Sequence, residues 1–122
     1  MSEDIAGAEI VLEAYALVTG DRKKSYSHPL HDYTKVVAIF ESFTGVKLTV
    51  RQAIMFMLSV KFARLRTNEE NGILHHDSLV DAVGYLACLN MVATAQESDK
   101  VRTTSLQSSS TTTTTRSVPN GQ

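Results

Sequence analysis

Four charged residues with regular spacing are the strongest candidates for chemistry in this chain of 122 residues. Lys61 and Arg64 lie three positions apart in an otherwise apolar segment. In a helix their charged ends therefore emerge on the same side. Asp77 and Asp81 lie four positions apart in a later segment and share one helical face for the same reason. Two cations facing two carboxylates is the simplest arrangement of these groups.

This arrangement has two open interpretations. In the first, the four side chains form salt bridges between two helices and specify the helix register. In the second they are catalytic groups: Asp77 and Asp81 hold Mg²⁺, while Lys61 and Arg64 neutralise phosphate oxygens. Two carboxylates are a small ligand set, but Mg²⁺ takes its remaining ligands from water and substrate phosphates.

A polar loop before Pro29 contains a second group of candidate residues. It combines Arg22, Tyr26 and His28 with two lysines and two serines, directly ahead of a predicted helix start, and helix N-termini attract anions. One interpretation is that Arg22 binds a phosphate and Tyr26 stacks on a base. The other is an ordinary polar loop whose Tyr26 ring folds onto the core. Under the first interpretation, Arg22, Tyr26, His28 and Tyr85 form the candidate nucleotide-binding group.

Other catalytic patterns are missing from the sequence. The four histidines and the single cysteine do not have the spacing of a zinc site. The sequence also has no glycine-rich phosphate loop and no nucleophile elbow. Cys88 lies in an apolar helical pattern, which is typical of a packed, reduced thiol in an intracellular protein. Covalent catalysis is therefore not expected.

Four amphipathic segments predict the helices that position these residues. A capping box of Thr49 and Gln52 fixes the start of the third helix, and Gly20 and Gly45 end the first two. The fold class predicted is all-α, with a four-helix bundle-like domain. The apolar periodicity places the helices at Ser2 to Leu17, Pro29 to Phe43, Val50 to Leu65, and Asp77 or Ser78 to about Gln96.

The third and fourth helices are apolar over most of their circumference. A domain of this size has too few other helices to cover them, and we therefore expect a homo-oligomer. Gly84 interrupts the fourth helix beside Tyr85. Because glycine lowers helix propensity, its presence indicates either a close approach of another helix or a contact with substrate.

Composition divides the chain into a helical domain at residues 1–97 and a Ser/Thr-rich tail at residues 98–122. The tail is too polar to offset the entropy of ordering it, and we expect it to be disordered. A tail that binds a partner or is phosphorylated is the alternative interpretation.

Charge and hydropathy limit the classes of partner. A net charge of -1 and a pI of about 6.4 predict no electrostatic footprint for duplex nucleic acid. No apolar stretch in the sequence reaches the roughly 18 to 20 residues that cross a bilayer, and the acidic start does not resemble a secretory signal. We therefore expect a cytoplasmic protein without a membrane partner.

Three motifs between about Glu9 and Val92 resemble a family of uncharacterised small helical proteins of phages and prophages. That resemblance implies a host-cytoplasmic, phage-encoded protein. The motifs are Gly20-Asp21-Arg22 followed by Tyr26-Ser27-His28-Pro29-Leu30-His31-Asp32-Tyr33, then Lys61-Phe62-Ala63-Arg64, then Asp77-Ser78-Leu79-Val80-Asp81-Ala82-Val83-Gly84-Tyr85.

The phage proteins are distantly similar to MazG-like all-helical nucleoside triphosphate pyrophosphohydrolases. Those enzymes use carboxylates on adjacent helices to bind magnesium and split the link between the α and β phosphates. The resemblance implies an oligomeric bundle, a nucleotide ligand and Mg²⁺, with Asp77 and Asp81 at the later acidic motif. The earlier acidic motif is missing, because Glu9 and Glu13 lie four apart and Glu41 stands alone.

The sequence thus favours a nucleotide-binding helical protein that acts as a magnesium-dependent pyrophosphohydrolase. One alternative is a noncatalytic protein that sequesters a nucleotide signal or binds a host protein. The other is a structural oligomer without a ligand, in which the four charged residues only set the helix register.

Overall fold

The computed structural model describes residues 3–20 and 27–117, and these residues form four helices. No strand occurs among the described residues. The all-α fold class predicted from periodicity is therefore confirmed for this part of the chain. The helices are α1 at Glu3–Thr19, α2 at Pro29–Thr44, α3 at Val50–Glu69 and α4 at His76–Ser117.

Local signals in the sequence account for the starts and ends of α2 and α3. At the start of α3 the Gln52 N–H donates to the Thr49 hydroxyl at 3.0 Å, and the Thr49 N–H donates to Gln52 Oε1 at 2.9 Å. The predicted capping box is therefore confirmed. Pro29 occupies the first turn of α2, and Gly45 ends that helix with a left-handed φ of 74°.

The structure differs from the predicted helix ends at α3 and, most of all, at α4. α3 continues past Leu65 to Glu69, and α4 runs to Ser117 instead of ending near Gln96. Elongation of an existing helix adds one hydrogen bond per residue without a new nucleation cost, and no glycine or proline interrupts this part of α4. The helical backbone of residues 98–117 differs from the disordered tail that the sequence predicts from residue 98.

The chain divides into two compact units, at residues 1–92 and 93–122. In the second unit, the described side chains from Glu97 to Gln107 are exposed. Arg102 Nη2 lies 3.9 Å from Asp99 Oδ1, and the Thr104 hydroxyl donates to the Lys100 carbonyl at 3.0 Å. Local contacts within one helix therefore hold these residues, with no apolar core of their own among the described side chains.

The core of the first unit lies where α2, α3 and α4 meet. Ile54 and Val92 are fully buried, and Tyr85 is nearly so. Cys88 is partly buried against this cluster, in agreement with the packed cysteine predicted. The other partly buried residues around the cluster come from all three helices: Leu30, Tyr33, Val50, Met57, Leu58 and Leu89.

Helix α1 contacts the first part of α4. Ala14 is its buried residue, and Val18 lies beside Gly84 of α4. Glu13 Oε2 and His76 Nε2 are 2.7 Å apart, which joins α1 to the first turn of α4. Both side chains of this pair are at least half exposed. The pair therefore contributes little to the free energy of unfolding.

Exposed large apolar side chains occur on every helix, among them Ile5, Val11, Leu12, Tyr15 and Leu17 of α1. The sequence predicted that the third and fourth helices both have apolar surface that no other helix covers. In the structure α4 is better covered, since its buried residues include Val80, Ala82, Tyr85 and Val92. On α3, Met55, Phe56 and Phe62 are exposed. The exposed large side chains of α2 are Val36, Ile39, Phe40 and Phe43. Oligomerisation stays a prediction, with α2 now the least covered helix of the core.

Within α4, the segment His76–Gln107 is long and apolar enough to cross a membrane by length and composition. This corrects the sequence estimate that no stretch reaches that length. The core helix of a soluble protein reaches the same length and hydropathy. The part of α4 up to Val92 packs in the core of the first unit. The expectation of no membrane partner stays a prediction.

Replacing Gly84 with alanine should raise the free energy of unfolding by about 0.5–1 kcal/mol, because alanine has the higher helix propensity. A methyl group there would lie 3.9 Å from Val18 Cγ1, an ordinary packing distance. Urea unfolding measures the change. As a control, Gly45→Ala should lower stability, because φ is 74° there. A destabilised Gly84→Ala variant would show that α1 approaches α4 more closely than the structure has it.

Candidate functional site

The centre of the candidate site is an ion pair between α3 and α4. Lys61 Nζ lies 2.9 Å from Asp81 Oδ2. The Lys61 side chain is 12% exposed and that of Asp81 31% exposed, which screens this pair from water more than an ordinary surface pair. The predicted association of a cation of the third helix with a carboxylate of the fourth is therefore confirmed for these two residues.

Two sets of contacts fix how α3 and α4 lie against each other. Ile54, near the start of α3, shares a buried cluster with Tyr85 and Val92 of α4. Lys61, two turns further along α3, meets Asp81, which is earlier in α4. The two helices are therefore antiparallel. Residues nearer the end of α3 lie opposite residues nearer the start of α4.

The same register places the other two charged residues, Arg64 and Asp77, at the same height along the pair of helices. Arg64 lies about one turn beyond Lys61 on α3, and Asp77 lies about one turn before Asp81 on α4. Both are exposed. Within the described part of the chain, the side chains of Arg64 and Asp77 have no ion pair or hydrogen bond. The salt-bridge interpretation therefore explains the inner pair, Lys61 with Asp81, but not the outer pair.

The first turn of α4 has a cap that the sequence did not predict. The Ser78 N–H donates to His75 Nδ1 at 3.3 Å, and the Ser78 hydroxyl lies 2.7 Å from the same nitrogen. Because Nδ1 accepts the N–H, it carries no proton, and the hydroxyl donates to it as well. Histidine is not among the usual N-cap residues. The serine three positions after His75 is the signal that sequence reasoning missed.

This His75 and Ser78 pair is structural and not a nucleophilic dyad. Ser78 is 1% exposed, and its hydroxyl is used in the cap. A substrate carbonyl or phosphate has no route to that oxygen. The sequence expectation that covalent catalysis is not used stays a prediction. Asp77 lies in the same first turn, where a carboxylate interacts favourably with the helix dipole.

The polar loop before α2 is only partly described. Arg22 and Tyr26, two predicted ligand-binding residues, lie outside the described residues. His28 Nδ1 accepts the Leu30 N–H at 3.1 Å and thereby caps α2. Its ring meets that of His31 edge to face, with centroids 6.4 Å apart. A contact between His28 and a nucleotide stays a prediction, and its capping role is established by the geometry.

Tyr85 occupies the core below the ion pair. It lies one turn after Asp81 on α4 and is 8% exposed. Its ring packs with Ile54 and Val92, which leaves little of it available to stack on a base. Its predicted role in ligand binding stays a prediction. In the structure, Tyr85 supports the turn of α4 that carries Asp81.

The described residues offer few ligands to a metal ion. Among the described residues there is no group of three or more His, Cys, Asp or Glu side chains that would hold a metal. Asp77 and Asp81 offer carboxylates from one face of α4, and Lys61 already contacts one oxygen of Asp81. A Mg²⁺ ion held by Asp77 and Asp81 would need phosphates and water to complete its six ligands, and it stays a prediction.

A family model with the description domain of unknown function, DUF6378, matches residues 9–93. The chain belongs to the DUF6378 family. The matched region contains all of α2 and α3 and the part of α4 that carries Asp77 and Asp81. It ends within one residue of the end of the first compact unit. The four charged site residues are therefore part of the DUF6378 domain, and most of the second unit lies outside it.

One curated relative of this DUF6378 chain is the Gene 55 protein of Mycobacterium phage D29, which is 26% identical over 83 residues. The match covers 68% of this chain and 52% of that protein, and the chain thus spans about half the length of its relative. No solved structure matches the chain. These findings support the expected phage-protein family. Neither match names a MazG-like enzyme, and that similarity stays an expectation from sequence.

A double-mutant cycle of Lys61→Met and Asp81→Asn measures the coupling of the ion pair. Each single change should lower the free energy of unfolding by about 1–2 kcal/mol, between the values for exposed and buried pairs, because it leaves a charge without its partner. The double change should cost less than the sum. Urea unfolding of the four proteins gives the coupling energy.

Arg66→Met is the control for this cycle. Arg66 lies 4.0 Å from Glu70, and both side chains are more than two-thirds exposed. Its loss should change stability by no more than about 0.5 kcal/mol. Strict additivity of Lys61→Met and Asp81→Asn would contradict the ion pair as the structure has it.

Proposed function

We propose that this DUF6378 domain binds the phosphate groups of a nucleotide at the charged cluster, defined as Lys61, Arg64, Asp77 and Asp81. The supporting observation is that two of these groups are held together between α3 and α4 while the other two are exposed beside them. A cluster that only fixed the helix register would have no use for the outer pair. The outer pair is where a ligand enters.

The two cations have different roles in this proposal. Lys61 is held near the surface by Asp81 at 2.9 Å, and its ammonium group is therefore already positioned before a ligand arrives. Arg64 is exposed, and its planar guanidinium forms paired hydrogen bonds with two phosphate oxygens. A preorganised lysine beside an adaptable arginine is a reasonable site for a polyphosphate.

The charge balance of the cluster favours a nucleotide bound with Mg²⁺ over a free nucleotide. Two cations and two carboxylates leave the cluster neutral, and the carboxylates alone would repel phosphate groups. A divalent cation between Asp77, Asp81 and the phosphates removes this repulsion. The proposed ligand is therefore a magnesium nucleotide, with the nucleotide supplying ligands that the described residues lack.

The proposed reaction is hydrolysis of the link between the α and β phosphates. A bound Mg²⁺ would offset phosphate charge and lower the pKa of a coordinated water. The water oxygen forms a bond to the α phosphorus, the bond from that phosphorus to the bridging oxygen breaks, and pyrophosphate leaves. The attacking water would release its proton to solvent. Asp77 and Asp81 would hold the metal, while Lys61 and Arg64 would stabilise the charge that develops on the phosphate oxygens.

A noncatalytic nucleotide-binding protein is the second candidate. It is favoured by one observation, namely that the described residues contain no group of three or more metal-binding side chains. Such a protein uses the same cations, Lys61 and Arg64, to sequester a nucleotide without turnover. The metal dependence of binding separates the two candidates.

Thermal unfolding with a panel of nucleoside triphosphates, with and without Mg²⁺, tests the proposal. A ligand at a hundred times its dissociation constant stabilises the folded protein by roughly 2.7 kcal/mol, and the wild type should show this shift when Mg²⁺ is present. Arg64→Met should weaken the affinity at least about tenfold, because it removes a charge-assisted phosphate contact. Arg66→Met, two positions away and exposed, is the matched control and should bind as the wild type does.

The metal dependence of the thermal shift distinguishes the hydrolase from the sequestering protein. A shift that needs Mg²⁺, together with release of pyrophosphate that Asp81→Asn abolishes, supports the hydrolase. A shift without metal and without turnover supports the sequestering protein. If no nucleotide changes the unfolding temperature, the charged cluster is not a phosphate site.

A further inference from the structure

Helix α2 has an apolar stripe that the described residues of the first unit leave uncovered. We call Val36, Ile39, Phe40 and Phe43 the α2 stripe, because their spacing places them on one side of the helix. Their exposed fractions are 44%, 56%, 38% and 84%. Val46, just beyond the end of the helix, is 49% exposed. Large apolar side chains this bare are unusual when they adjoin each other on one helix.

The stripe is separate from the side of α2 that faces the core. Leu30 and Tyr33 pack against the cluster around Ile54, and Val37 is half-buried. The residues of the stripe are turned away from these three around the helix axis. Helix α2 therefore has two apolar sides, of which the protein covers one. A solvent-facing helix normally has polar residues on its second side.

The bare area approaches what a stable interface needs. Phe40 and Phe43 alone expose roughly 180–300 Å² of apolar surface, taking about 150–250 Å² for each aromatic side chain when fully bare, and Val36, Ile39 and Val46 add to it. A standard interface buries about 800 Å² on each partner, and about 65% of a homodimer interface is apolar. A large share of the apolar part of such an interface is therefore present on α2.

We propose that the α2 stripe is the interface with a second copy of this chain, with the two α2 helices antiparallel across a two-fold axis. The stripe is self-complementary in size under that rotation. Its bulkiest and barest residue, Phe43, lies at one end, and the small Val36 lies at the other. In an antiparallel pair each Phe43 meets the Val36 of the other copy, and Ile39 and Phe40 lie near the axis.

Charges at the two ends of the stripe are complementary under the same rotation. Asp32 lies one turn before Val36, and the exposed Lys47 follows the stripe just after Gly45. An antiparallel arrangement brings the Asp32 of each copy towards the Lys47 of the other. Parallel helices would instead place like charges together. A two-fold interface thus matches this surface in area, size and charge, independently of the proposed nucleotide site.

The mass of the full-length protein in solution, measured by light scattering during size-exclusion chromatography, tests this interface. The wild type should have the mass of two chains, and Phe43→Glu should halve it, because each copy then buries a charge against an apolar surface. Phe43 is 84% exposed in one chain, and the variant should keep the wild-type helical circular dichroism. Leu12→Glu, at a 65% exposed position of α1, is the matched control and should keep the wild-type mass.

Disulfide cross-linking tests the antiparallel register. In a Cys88→Ser background, the double variant Val36→Cys with Phe43→Cys should form a covalent dimer on mild oxidation, and Glu41→Cys on another side of α2 should not. A wild-type mass of one chain would overturn the proposal and assign the stripe to a different partner. A Phe43→Glu variant with the wild-type mass, or equal cross-linking at Glu41→Cys, would overturn it too.

Discussion

The antiparallel contact between α3 and α4 is the constraint on which the rest of the first unit depends. Ile54 and Val92 lose all contact with solvent there, which ties the two helices together over their length. Burial of large side chains of this kind is the main stabilising contribution in a small domain. Because the apolar contact fixes the register, Lys61 reaches Asp81 at 2.9 Å without any further adjustment. The charged cluster is thus a consequence of how the core packs.

One helix register positions both the ion pair of Lys61 with Asp81 and the exposed charges to which we assign the proposed chemical role. The inner pair, Lys61 with Asp81, is partly shielded from water and contributes to the specificity of the helix contact. The outer pair, Arg64 and Asp77, is exposed, so its charge is available to a ligand. A neutral cluster does not attract phosphates by its total charge. Binding then depends on the position of each group and on a cation that accompanies the nucleotide.

The sequence predicted the parts of this structure that follow from local spacing. The capping box of Thr49 and Gln52 and the meeting of Lys61 with Asp81 both follow from helical periodicity. The length of α4 did not, because composition describes the tail in isolation, whereas residues that continue an existing helix have no new nucleation cost. Periodicity also identified the apolar residues of α2. Periodicity does not show how many other helices pack against these residues. The uncovered α2 stripe, which includes Phe43, is therefore visible only in the structure.

The most direct test of the central claim is a crystal structure of the protein with Mg²⁺ and a nucleoside triphosphate analogue that is not hydrolysed. The account predicts phosphate oxygens within about 3 Å of Lys61 Nζ and of the Arg64 guanidinium, at the usual distance of a charge-assisted hydrogen bond. It also predicts that Asp77 and Asp81 contact the metal directly or through water. An analogue bound at a different place, with Lys61 and Asp81 still paired and Arg64 in solvent, would contradict it.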